Sequence, residues 1–144
     1  MLVRITNYAG DSRYDIDTLY LVVCIEHRND KDNYYIANNE SFAIPYKFES
    51  DELEIIDTYI PEKWCRVSID NGWRLSFEQW AKDEKYYNYL VENDYYIEQN
   101  KQARVVLDSW YGILLDYYIK KYVGSRRAAL DKLAKIKQIE YDCN

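Results

Sequence analysis

Glycine, proline, histidine and cysteine are all scarce in this chain, and each scarcity closes off a kind of chemistry. Its four glycines, Gly10, Gly72, Gly112 and Gly124, stand far apart, so no Gly-rich loop exists to wrap a phosphate. A single histidine, His27, and three scattered cysteines with no CxxC pair argue against a zinc site and against a disulfide framework. Cys24 and Cys65 lie in apolar stretches and are expected as small core residues, with Cys143 in the tail. No serine has the Gly-x-Ser-x-Gly setting of a hydrolase nucleophile. No apolar run approaches the roughly 20 residues of a membrane span. The N-terminus has no basic stretch leading into an apolar one, so a cytoplasmic protein is expected. Neither a metal nor a cofactor is expected, and the chain reads as no enzyme.

What is abundant is tyrosine and acid. There are 17 tyrosines in 144 residues, too many for all of them to be core. The net charge of −6 is unevenly spread. Residues 1–100 hold 10 Lys and Arg against 20 Asp and Glu, whereas residues 101–144 hold 9 against 5. An acidic front of this kind repels nucleic-acid phosphates and favours basic partners.

The run from Asp94 to Gly124 predicts one long amphipathic helix, with Tyr96, Ala103, Val106, Trp110, Leu114 and Tyr117 inward. Arg104/Asp108 and Asp116/Lys120 pair opposite charges at four-residue spacing. Asp94 suits its start, and Lys120, Lys121 and Gly124 suit its end. Mid-helix Gly112 suggests close approach of another element, or else a kink. A further helix is expected over Arg126–Tyr141, with Arg126, Arg127, Lys132, Lys135 and Lys137 largely outward. Those cations suit phosphate contacts, but interspersed acids and the lack of an aromatic platform favour an exposed, self-associating helix.

Ahead of the helices the pattern is one of short strands. Leu2–Tyr8 alternates, and Thr18–Glu26 is apolar on both sides and so central. His27–Asn33 reads as a loop, Tyr34–Ile36 and Phe42–Tyr46 as strands, and Asn38–Glu40 as a turn. Pro45 puts its strand at an edge or a strand end. Asp51–Asp57 reads as an acidic turn or short helical segment. Asn71-Gly72 marks a hairpin between Cys65–Ile69 and Trp73–Leu75. Ser76 with Gln79 matches a capping box opening a helix near Phe77, with Phe77, Trp80, Tyr87 and Leu90/Val91 inward. The fold class is therefore α+β. A small antiparallel sheet or SH3-like barrel of five to seven strands (about 1–75) precedes three C-terminal helices (76–144), all in a single folding unit.

Several of these short apolar segments occur in one order: Tyr20-x-Val22, Tyr34-Tyr35-Ile36, Ile44-Pro45, Leu53-x-Ile55-Ile56-Asp57 and Ile60-Pro61-x-x-Trp64. It resembles a group of small bacterial and phage proteins of unassigned function. In those, an SH3-like β-barrel ends in a similar Ile-Pro-x-x-Trp segment and passes into C-terminal helices. The resemblance implies a binding-type barrel and carries over no catalytic residue.

Among possible sites, His27 beside Glu26 lacks a nucleophile or metal partner nearby in sequence. Asp51, Glu52 and Glu54 read as a solvated acidic turn. The strongest signal is 83–98, where five tyrosines and five acids fall within sixteen residues. Tyrosine buries area at low entropy cost and keeps a hydroxyl, and carboxylates steer a basic partner. The alternative is that Tyr87 and Tyr96 are core and the acids merely solvated. The expected partner-binding residues are Asp83, Glu84, Tyr86, Tyr89, Glu92, Asp94, Tyr95 and Glu98. They suit an inhibitor that covers a basic, nucleic-acid-binding protein surface, such as a bacterial immunity protein facing a toxin or a phage anti-defence protein facing a host nuclease. No direct nucleic-acid or membrane contact is expected. A self-assembling scaffold, or a homodimer through the C-terminal helices, is the alternative.

Overall fold

Strand β2 (Leu19–Arg28) is the strand on which the sheet is built, because it is apolar on both faces and has partners along both edges. The computed structural model describes residues 1–7, 14–16, 18–37, 44–94 and 96–122. Along one edge of β2 runs β3 (Lys31–Ala37), antiparallel. Along the other lie, end to end, β1 (Leu2–Ile5) against Leu19–Leu21 and β7 (Gly72–Ser76) against Cys24–Arg28. β4 (Tyr46–Glu49) extends the sheet beyond β3, β5 (Leu53–Asp57) beyond β1, and β6 (Cys65–Ile69) beyond β7. The order β4-β3-β2-β1-β5 leaves β4 and β5 at opposite ends, so the sheet is open and not closed into an SH3-like barrel.

Three helices among the described residues follow: α1 (Glu78–Lys82), α2 (Tyr86–Val91) and α3 (Glu98–Tyr122). They cover one face of the sheet, where Leu21, Val23 and Phe77 meet Trp80, Leu90, Leu107 and Leu114. The other face curls over a second core of Val3, Tyr20, Val22, Ile36 and Phe48. The two sets alternate along β2, as the period-2 pleat requires. Cys24 is fully buried, as expected, while Cys65 is half-buried.

Several expectations are corrected. His27–Asn33 is no loop: β2 and β3 run on to a two-residue turn at Asn29 and Asp30, with φ of 52° and 62°. Both residues tolerate the left-handed region that such a tight hairpin demands. The second hairpin turns on Asp70 and Asn71 (φ 61°), and Gly72 already pairs within β7. Asp51–Asp57 divides into a 3-10 turn, Ser50–Glu52, and strand β5. Ser76 ends β7, and its Oγ donates to Val23 O at 2.7 Å instead of capping a helix. Phe77 precedes α1 with no side-chain cap, and the single helix expected from there is two.

The long helix starts at Glu98, not Asp94. Its buried line is Asn100, Ala103, Leu107, Tyr111, Leu114 and Tyr118. Ala103 and Leu114 are inward as expected, whereas Val106, Trp110 and Tyr117 are only partly buried against the same core. Their neighbours Leu107, Tyr111 and Tyr118 take the inner line. The apolar stripe is wide enough for two adjacent lines, and packing against α2 and β2 selects between them. Tyr96, expected inward, is 93% exposed. A Cβ on Gly112 would meet nothing within 4 Å, so no element among the described residues makes the close approach there. Tyr95, the turns at 10–12 and 38–40, residues 42–43 of the Phe42–Tyr46 strand, and the Gly124 terminator with the 126–141 helix lie outside the described residues.

The C-terminal end of α3 is fastened to the sheet through Asp57, the last residue of β5. Its carboxylate accepts from Tyr59 N at 2.9 Å and also from Lys121 Nζ and Tyr122 Oη. Burial alone would raise the Asp57 pKa, but these donors outweigh it and hold the carboxyl below its usual range. A depressed pKa means stability that is complete above the unfolded value near 3.9 and is lost as pH falls through the folded value. Asp57→Asn is therefore expected to cost about 1–3 kcal/mol at neutral pH. That difference should shrink as pH falls below the unfolded value and through the lower folded one, when urea midpoints are compared along a pH series. A pH-independent difference would assign the loss to packing.

Candidate functional site: an acidic groove between the helices

Short helices need local reasons to exist, and α1 and α2 have them. Lys82 Nζ donates to Glu78 Oε1 at 2.8 Å across one turn of α1. Asp83 Oδ1 accepts from Lys85 N at 2.9 Å, an Asx turn that closes α1 and leads into α2. A second Asx turn follows, Asp94 Oδ1 accepting from Tyr96 N at 3.0 Å. The Asp94 carbonyl accepts from the side-chain amide of buried Asn100 at 2.8 Å, which anchors the entry to α3.

Two side chains then bolt α2 to α3. Tyr86 Oη donates to Ala103 O at 2.6 Å, and Arg104 Nη2 donates to Leu90 O at 2.9 Å. Burial, with the Asp108 charge in support, pushes the Tyr86 phenol pKa well up, so Tyr86 is a donor at every physiological pH. Tyr86, expected to grip a partner, is 5% exposed and packed in the helical core, and it also lines the groove described next. Tyr87 stacks on Trp80 at 5.8 Å between ring centroids and donates to Pro45 O at 3.3 Å.

Between these helices lies an open groove of about 600 Å³. Asp83, Tyr86 and Tyr89, three of the residues expected at a partner-binding surface, line it. Glu78, Gln79, Lys82, Gln99, Gln102, Ala103 and Val106 complete its walls and were not foreseen as site residues. Gln79 comes from α1 and Gln99 and Gln102 from α3, and the polar positions of these helices carry no mark in sequence of what they will face. Of the remaining expected residues, Glu84, Glu92, Asp94 and Glu98 are all exposed, Tyr89 is half-buried, and Tyr95 lies outside the described residues. Residues 78–98 hold six acids and two lysines, and all eight are exposed. That stretch alone carries −4 of the chain's −6.

Elsewhere the carboxylates have structural duties. Glu26 and His27 are neighbours in a strand and so point to opposite faces. Glu26 pairs with Arg74 at 2.7 Å, and His27 pairs with Asp32 at 2.7 Å while stacking on Trp73. Glu52 accepts from Glu49 N at 2.9 Å, and Glu54 accepts from Arg4 Nε at 3.1 Å. Among the described residues no three metal-ligating side chains come together, and no helix is long and apolar enough to cross a membrane.

The fold and groove together define an α+β module with a tyrosine-bearing concavity on its helical layer, whose walls hold Asp83 and the Glu78–Lys82 pair and which lies in an acidic stretch of the chain. Comparison with protein-family models, with curated proteins and with solved structures finds no match.

Proposed function

We propose that this chain is a non-enzymatic binding protein that occludes a basic surface on a protein partner, as a bacterial immunity protein or a phage anti-defence protein would. The nucleic-acid-binding face of a toxin or of a defence nuclease has the required charge. In this reading the protein acts in the cytoplasm. One observation carries the proposal: a groove whose walls include Tyr89, Asp83 and Glu78, in a stretch whose six acids are all exposed. Fixed α-helical walls present these groups at little ordering cost, and the surplus negative charge raises the capture rate of a cationic partner. Tyr89 and exposed Tyr96 supply ring surface, while Tyr86 holds the wall in place.

Charge reversal provides the test. Asp83→Lys, Glu84→Lys and Glu92→Lys together change a net charge of −6 to 0 without touching the core. Immobilised wild-type protein is expected to retain a basic protein from extracts of the source cell and to block its nucleic-acid binding in proportion to the amount added. The triple variant should retain it at least about 100-fold less well, three reversals each contributing roughly 1 kcal/mol. Equal capture by the variant, or capture that leaves nucleic-acid binding untouched, would sink the reading.

A further inference from the structure

The side of α3 turned away from the core has a symmetry of its own. Glu98, Gln102, Val105, Ser109, Ile113, Asp116 and Lys120 are all exposed and, at spacings of 4, 3, 4, 4, 3 and 4, keep to one line along the helix. The spacing reads the same from either end, and Ser109 is its midpoint. Val105 and Ile113 are 68% and 48% exposed, an uncommon outlay of β-branched surface on a helix that elsewhere buries its apolar residues. We propose that this line pairs two copies of the chain, with their α3 helices antiparallel about a two-fold axis at Ser109.

The argument is charge complementarity. Antiparallel pairing about Ser109 sets Glu98 against the partner's Lys120, Gln102 against the partner's Asp116, and Val105 against the partner's Ile113. Each of these contacts occurs twice, as an isologous interface requires. The axis itself falls on serine, with Gly112 beside it, and a Cβ built on Gly112 meets nothing within 4 Å. Two backbones can therefore approach closely there. A parallel pairing would oppose Glu98 to Glu98 and Asp116 to Asp116, which like-charge repulsion disfavours. The contact would run about 33 Å from Glu98 to Lys120 at 1.5 Å per residue. With two short apolar pairs at its centre, it makes a reversible dimer rather than an obligate one.

Sedimentation equilibrium of the full chain, from low micromolar to a few hundred micromolar at physiological salt, is expected to show a monomer–dimer equilibrium. Val105→Glu with Ile113→Glu should abolish the dimer without altering the far-ultraviolet circular dichroism spectrum, since both positions face water in the monomer. Glu98→Lys alone should weaken dimerisation by about tenfold, because two attractions become two repulsions. Adding Lys120→Glu should restore it to within about twofold. Ser109→Cys should yield a disulfide-linked dimer that the wild-type chain does not form under the same oxidation. A monomer at every concentration, or a dimer indifferent to Val105→Glu and to the charge swap, would overturn the proposal and assign the face to a partner of other chemistry. Gln102 borders both the groove and this line, so the two are told apart with residues of one surface only. Reversal of Asp83, Glu84 and Glu92 should leave the dimer intact, and Val105→Glu with Ile113→Glu should leave capture at the groove intact.

Discussion

Glu26→Ala is expected to lower the stability of this protein by about 3–5 kcal/mol, the range for stripping the partner from a buried ion pair. That is a large share of the 5–15 kcal/mol that usually separates folded from unfolded states. Glu26 and Arg74 face each other across the β2–β7 ladder, with Arg74 Nε at 2.7 Å from Glu26 Oε1. Both side chains are about nine-tenths buried or more, and Arg74 Nη1 is buried without a partner. Arg28 approaches the second Glu26 oxygen only at 3.8 Å and from the solvent side. Removing Glu26 therefore leaves a guanidinium in the sheet with no counter-charge, and it cannot lose its proton to escape. The penalty is a desolvation penalty, so removing both charges should cost far less. Glu26→Leu with Arg74→Met is expected to recover most of the loss in a urea titration. A loss below about 1 kcal/mol for Glu26→Ala would mean that Arg74 can swing out to water.

The second large effect is expected at Gly72. A Cβ built there would lie 1.7 Å from the carbonyl oxygen of His27 and 2.7 Å from its carbon. These are backbone atoms of β2, held by β3 on the far side, so no rotamer change relieves the clash. The β7–β6 hairpin must lift away from β2, breaking ladder bonds next to the Glu26–Arg74 pair. Gly72→Ala should cost about 3 kcal/mol or more, at the upper end for overpacking. The neighbouring change Asn71→Gly is the control. Asn71 has a φ of 61°, where glycine is at ease, and a change of only a few tenths of a kcal/mol is expected. If Gly72→Ala matched that control, the close approach of the two strands would be refuted.

Gly72 also shows how far a sequence can be read. Asn71-Gly72 correctly announces a hairpin, yet the left-handed turn residue is Asn71, and no glycine among the described residues has a positive φ. The glycine is needed for a contact with a strand 45 residues away in the chain (His27 to Gly72), and nothing local signals it. His27 and Glu26 behave alike: their proximity in sequence suggests a pair, and the pleat sends them to different partners, Asp32 and Arg74. For the groove, the acidic and tyrosine-rich residues were legible, but their division was not. Tyr86 and Tyr89 differ by three positions on one short helix. One became a bolt to Ala103 and the other a half-exposed wall.

By itself, then, the sequence determined the alternating strands, a central strand apolar on both faces, a long helix and an acidic surplus around 83–98. Each of these follows from repeat patterns of 2 or 3.6 residues, or from simple charge counting, and needs no knowledge of neighbours. Only the tertiary structure decided that the sheet stays open, which line of α3 is buried, and which tyrosines face water. Those outcomes depend on which distant surfaces meet, because a wide apolar stripe or a cluster of phenols fits several local arrangements until a second element packs against it.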